Sequence, residues 1–189
     1  MKLLHLDSSI LGENSVSRAV SAVVVRQLKD AHPGLEETYR DLVAQPLDHL
    51  TLAALADPTY VDEFLAADIV VIGAGMYNFG LPTQLKAWID RVAIAGKTFR
   101  YTEAGAQGLA GGKRVIVTLA RGGLYGEGSA AQSMEHAETY LKGVFGFMGV
   151  TDVEFIIAEG IALGPDHRAT ALAGALGAAE KVQALRVAA

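Results

Sequence analysis

The run Ile69-Val70-Val71-Ile72-Gly73-Ala74 constrains this chain more than any other stretch. It carries no polar side chain at either parity. Alternate residues of a strand face opposite ways, so a run that is apolar at both must be covered on both sides. That asks for a central strand with helices above and below it. The flanks supply them. Val16, Ala19, Val20, Val23, Val24 and Leu28 recur at helical spacing and stop at Pro33-Gly34, and Ser15 or Ser17 is placed to cap that helix. Residues 3–6, 113–119 and 153–158 are further apolar runs, and 35–42 is charged enough to read as an edge strand. Helices are expected over 46–64, 85–95, 133–148 and 168–187, and a glycine-rich loop over 101–112. Strands alternate with helices from end to end. The pattern predicts one α/β domain, 1–189, with a parallel sheet and helices on both faces.

Composition narrows the partners. Of 189 residues, 51% are hydrophobic, enough to fill one such core. The net charge of −5 argues against nucleic acid, which is held by clustered Lys and Arg. No cysteine is present, which excludes disulfides, zinc–thiolate sites and thiol nucleophiles, and fits a reducing compartment. No apolar run approaches the ~20 residues of a membrane span. The start, Met1-Lys2-Leu3, meets Asp7 too soon for a signal peptide. The expected location is the cytoplasm, with no metal and no membrane partner.

In an open α/β sheet, ligands sit beyond the carboxyl ends of the strands. Three loops therefore matter. The first holds Ser9, Asn14, Ser15 and Ser17 ahead of a helix N-terminus. It has neither the G-x-G-x-x-G of a dinucleotide fold nor the Gly-Lys-Ser/Thr of a P-loop. Neutral hydroxyls and first-turn amides suit a phosphate monoester, although plain helix capping needs no ligand. The second loop is Met76-Tyr77-Asn78-Phe79-Gly80-Leu81-Pro82. A tight turn seldom needs a thioether and two aromatic rings. A planar heterocycle would stack on them while the Asn78 amide read its edge. Core or interface packing is the plainer use of such rings. The third loop, Ala120-Arg121-Gly122-Gly123, exposes backbone N–H groups that would stabilise negative charge on a reduced ligand; a surface turn is the plainer reading. Together the loops describe a phosphate seat, an aromatic platform and a donor-lined edge. Flavin mononucleotide (FMN) fits that set best.

At these residues the chain resembles the FMN-dependent NADH:quinone oxidoreductases, also called FMN-dependent azoreductases. The resemblance covers nearly the whole chain. It is carried by Met76–Lys86, Ala95-Gly96-Lys97-Thr98-Phe99-Arg100-Tyr101-Thr102, Arg121-Gly122-Gly123, Gly143–Gly149 and Ala158-Glu159-Gly160. It implies a flavodoxin-like fold with five parallel strands in the order 2-1-3-4-5. It implies non-covalent FMN, with the phosphate held by Ser9, Ser15, Val16 and Ser17. Met76, Tyr77, Asn78 and Phe79 would line the isoalloxazine, and Ala120, Arg121, Gly122 and Gly123 its pyrimidine edge. Tyr101 and Phe147 would flank the substrate side across a homodimer interface. NADH or NADPH would be the donor, and quinones and azo compounds the acceptors, in a ping-pong cycle. The flavin performs the chemistry, so no catalytic side chain is expected; His136 and His167 read as surface or capping residues. Two departures stand out: Gly75 where the family usually has proline, and Ala120 where serine is common. The segment between the second and third strands is short for the family.

Rival classes fit less well. A flavodoxin-type electron carrier shares fold and cofactor but has no use for the Tyr101 segment. A response-regulator receiver domain needs an aspartate at the end of the third strand, where Gly73-Ala74-Gly75 stands. A serine hydrolase needs a G-x-S-x-G elbow, and Gly126-Glu127-Gly128-Ser129-Ala130 is out of register.

Overall fold

A computed structural model describes residues 1–182. The elements run β1 (Lys2–Asp7), α1 (Val16–Ala31), β2 (Glu36–Asp41), α2 (Leu52–Leu55), α3 (Thr59–Ala66), β3 (Ile69–Gly75), α4 (Thr83–Val92), β4 (Phe99–Thr102), β5 (Gly105–Gly108), β6 (Arg114–Ala120), α5 (Ala137–Phe147), β7 (Asp152–Ala158) and α6 (Pro165–Ala179). Five strands form one sheet in the order β2-β1-β3-β6-β7, every neighbouring pair parallel. Numbering only these five along the chain gives 2-1-3-4-5, the flavodoxin-like arrangement.

The parity of β3 sorts the two cores. Val70 and Ile72 face one layer, packed with Phe64, Trp88, Leu141 and Phe145 from α3, α4 and α5. Ile69 and Val71 face the other, packed with Val20, Val24 and Leu28 of α1 and Ala175 and Ala179 of α6. All seven residues of β3 are buried, as a strand covered on both faces must be. Phe64 meets Trp88 edge to face at 5.8 Å, which fixes α3 against α4 beneath the sheet.

Four expectations need correction. Residues 46–64 hold two short helices rather than one: Thr51 caps α2 by accepting from the Ala54 N–H, and Pro58 stands at the start of α3. A proline restricts the residue before it to extended backbone, which separates the two. Residues 101–112 are not all loop, because β4 and β5 pair as an antiparallel hairpin. The helix expected over 133–148 starts only at Ala137, after a 3-10 turn at Gln132–Met134. The last helix starts at Pro165, ahead of the expected 168; its expected end, 183–187, lies outside the described residues.

Candidate active site

β1 and β3 are neighbours, but the chain leaves them toward opposite edges of the sheet. Their following loops diverge and leave a crevice at the carboxyl ends. A cleft of about 260 Å³ opens there, lined by Ser9, Leu11, Ser15 and Val16 after β1, by Gly75, Met76 and Tyr77 at the end of β3, by Ala120 and Gly122 after β6, and by Ile161, Ala162 and Arg168 beyond β7. The three loops read from the sequence do meet. A fourth, after β7, joins them.

The Met76–Pro82 loop is a tight turn in spite of its bulk. Tyr77 and Gly80 exchange two backbone hydrogen bonds, each 3.0 Å, closing a two-residue hairpin. Its central residues sit at positive φ, Asn78 at 47° and Phe79 at 71°. That is the type I′ turn, which suits Asn first and Gly second. Phe79 in the left-handed region is strained by roughly 1–2 kcal/mol, and such strain gathers at functional sites. The surroundings hold it. The Met76 N–H donates to the Ala120 carbonyl at 2.8 Å, and the His136 N–H to the Phe79 carbonyl at 3.1 Å. The Phe79 ring meets Tyr125 edge to face at 6.1 Å. The Asn78 side chain is exposed and has no hydrogen-bond partner among the described residues.

Tyr77 turns back across the strand end. Its hydroxyl lies 3.1 Å from Ser9 Oγ and accepts from the Ile10 N–H at 3.2 Å. Gly75 makes room: a Cβ there would sit 3.2 Å from the Tyr77 ring. A glycine at this position therefore lets the ring lie on bare backbone.

The first loop leads into α1. Ser15 is the N-cap, accepting from the Arg18 N–H at 3.3 Å, and its hydroxyl lies 3.1 Å from that of Ser17. The capping role is thus real and falls to Ser15. It leaves first-turn amides of α1, around Val16 and Ser17, at the dipole end. Arg18 turns away from the cleft and stays only partly exposed. It clasps Asp41 through Nη1 and Nη2 at 2.8 and 2.7 Å and donates to the Ser9 carbonyl. That clasp holds the Asp41 carboxyl well below the usual range, at about 2. Beneath the loop, buried Asp7 accepts from Ser21 at 2.9 Å and from Tyr39 at 3.2 Å. Gly73 must be glycine there, since a Cβ would fall 2.1 Å from Asp7 Oδ1. Burial, together with the Asp7 and Asp41 charges, pushes the Tyr39 phenol up to about 12.

The loops after β6 and β7 are zipped together. Ile161, Ala162 and Gly160 N–H groups donate to the carbonyls of Arg121, Gly122 and Gly123 at 3.2, 3.0 and 3.0 Å. Each of these carbonyls already accepts one hydrogen bond, while the amides of Gly122 and Gly123 have no acceptor among the described residues. The Arg121 backbone lies on this rim. Its guanidinium points inward, 1% exposed, against Glu135, Glu138 and Glu159. Burial disfavours its charge, but the carboxylates outweigh that and raise its pKa. Glu159 also accepts from the Tyr125 N–H at 3.0 Å, and Glu135 from the N–H groups of Ala137, Glu138 and Thr139. One buried cation thus ties the rim to the start of α5.

Tyr101 and Phe147 are not in this cleft. They lie with Phe99 in an aromatic cluster where the β4–β5 hairpin meets the end of α5, with ring centroids at 5.6 and 4.6 Å from Phe99. Tyr101 is 75% exposed. Sequence reasoning missed the fourth loop and Arg168. Nothing local marks Arg168: it follows Pro165 in the first turn of α6, and only the packing of α6 beside α1 brings it to the rim.

The sequence matches the family Flavodoxin_2, described as a flavodoxin-like fold, over residues 1–182. It is 57% identical over 201 aligned positions to FMN-dependent NADH:quinone oxidoreductase 2 of Bradyrhizobium diazoefficiens, spanning 97% of this chain and 100% of that protein. It is 56% identical to the FMN-dependent NADH:quinone oxidoreductase of Methylorubrum extorquens, over 97% of this chain and 100% of that protein. Among solved structures, an FMN-dependent NADH-azoreductase of Bacillus anthracis in complex with FMN superposes with a TM-score of 0.86 at 25% identity, covering 95% of this chain and 96% of the other.

Proposed function

This chain belongs to the flavodoxin-like family of FMN-dependent NADH:quinone oxidoreductases, and from that premise we propose that its cleft seats FMN and passes two electrons from NADH, or NADPH, to quinones and to flat azo compounds. When bound, FMN supplies the redox chemistry, accepting a hydride at N5 and returning the electrons to the acceptor. The protein's share is placement and electrostatics. The observation that carries this reading is a donor set at one rim: the Gly122 N–H on the cleft wall, beside the first turn of α1, with the Gly123 N–H and the Asn78 amide next in the chain to cleft-lining Gly122 and Tyr77, none of them with an acceptor among the described residues.

These residues fit the group. The serines and the α1 amides would hold its phosphate. Gly75, Met76 and Tyr77 would form the floor on which the ring lies, and the left-handed turn would present Asn78 to its edge. The Gly122 and Gly123 amides would stabilise negative charge that develops on reduction, because preorganised donors cost no rearrangement at that moment. One open face would serve donor and acceptor in turn, which makes the cycle ping-pong. Tyr101 and Phe147 lie outside the cleft of their own chain, which supports a homodimer in which each protomer's aromatic cluster roofs the partner's flavin. A cytoplasmic site of action fits a chain without cysteine.

The test is direct. Purified protein mixed with FMN is expected to turn yellow, retain the flavin through gel filtration, and bleach on adding NADH; benzoquinone should restore the colour. A protein that stays colourless after exposure to FMN would sink the reading.

A further inference from the structure

Arg168 is the one charged side chain that lines the cleft among the described residues. It comes from the first turn of α6 and reaches across to the loop after β1, where its Nη2 donates to the Asn14 carbonyl at 2.6 Å. Asn14 directly precedes Ser15, the cap of α1. The other arginine of this region, Arg18, is spent: its guanidinium is clasped by Asp41 and the Ser9 carbonyl. Arg168 has no such carboxylate partner among the described residues. It therefore brings an unneutralised cation and spare N–H donors to the end of the cleft where Ser9 and Ser15 stand.

We propose that Arg168 is a phosphate-reading residue, a cation supplied by α6 that lets this cleft tell FMN from the uncharged riboflavin. The proposal rests on the flavin reading and deepens it. Neutral hydroxyls and helix amides can solvate a phosphate monoester but do not cancel its charge. A guanidinium does, through charge-assisted hydrogen bonds that a flavin without phosphate cannot receive. The bond to Asn14 spends one donor and orients the rest. A half-buried cation of this kind acts on affinity and is screened by salt only in part.

The experiment titrates the full chain with FMN and with riboflavin, following quenching of flavin fluorescence, for the wild type, Arg168→Gln and Arg168→Lys. Arg168→Gln is expected to weaken FMN binding by roughly tenfold or more, the value of one hydrogen bond to a charged group, and to leave riboflavin binding unchanged. Arg168→Lys should keep most of the FMN affinity. Equal losses for both flavins would mean that Arg168 only props the Asn14 loop, and would overturn the proposal. So would an unchanged FMN affinity in Arg168→Gln. A wild type that binds neither flavin would instead overturn the flavin reading, and this residue's role with it.

Discussion

Asn78 and Phe79 show how a single residue can be bent toward a task. Both hold positive φ, and only the first is a residue that takes it easily. Phe79→Gly should relieve the backbone. We expect stability to stay level or rise by up to about 1 kcal/mol, read from urea unfolding, while quinone turnover falls as the ring is lost. A large drop in stability would instead make Phe79 a packing residue. Asn78→Ala should leave the circular dichroism unchanged and either weaken FMN retention or slow flavin reduction by roughly tenfold, the worth of one good hydrogen bond in a site. If affinity and turnover both stay level, Asn78 is not part of the site. Neither backbone angle was legible in the sequence. A phenylalanine is a poor predictor of a left-handed position, and the loop's composition pointed to a flat ligand without revealing the turn that presents it. Tyr77 was equally opaque: that its hydroxyl reaches Ser9 depends on the missing side chain at Gly75.

Among the elements, four of the sheet strands were readable as apolar runs that a sheet covered by helices requires, β2 as a charged edge, and their order followed from the family resemblance. The β4–β5 hairpin was not readable. Two of the four residues in Gly105–Gly108 are glycine, so no alternation survives to be seen. Its partner strand, Phe99–Thr102, is mostly exposed. The 46–64 region failed for a related reason: Pro58 breaks it, and the leucines of α2 stay at the surface, Leu52 at 88% exposure. The Arg18–Asp41 clasp joins α1 to the end of β2 and makes a prediction at this scale. The folded Asp41 carboxyl titrates near 2 rather than 3.8. A depressed pKa contributes stability that is full above the unfolded value and is lost as pH falls through the folded one. Discounted for solvent screening, the share is about 1 kcal/mol. Acid unfolding of Asp41→Asn should therefore show a smaller loss of stability between pH 4 and pH 2 than the wild type. An identical slope would remove the clasp from the acid response.

For the whole molecule, two candidate regions sit apart on one chain: the cleft at the carboxyl ends, and the Phe99–Tyr101–Phe147 cluster beside α5. If the homodimer brings them together, Asn78→Ala and Tyr101→Ala protomers are each weakened at every site when alone. Mixed and allowed to exchange, they should form heterodimers with one intact site of two. Statistical mixing then returns about a quarter of wild-type turnover. No recovery on mixing, with exchange verified, would place both residues in the same protomer's site or Tyr101 in none. The zipped loops after β6 and β7 carry a last implication. Three carbonyls in a row are already spoken for, and the two glycine amides between them are not. That lip is chemically one-handed: it offers hydrogens and asks for lone pairs. A guest that brings lone pairs there meets free donors, while one that presents hydrogens meets only carbonyls that already hold a bond.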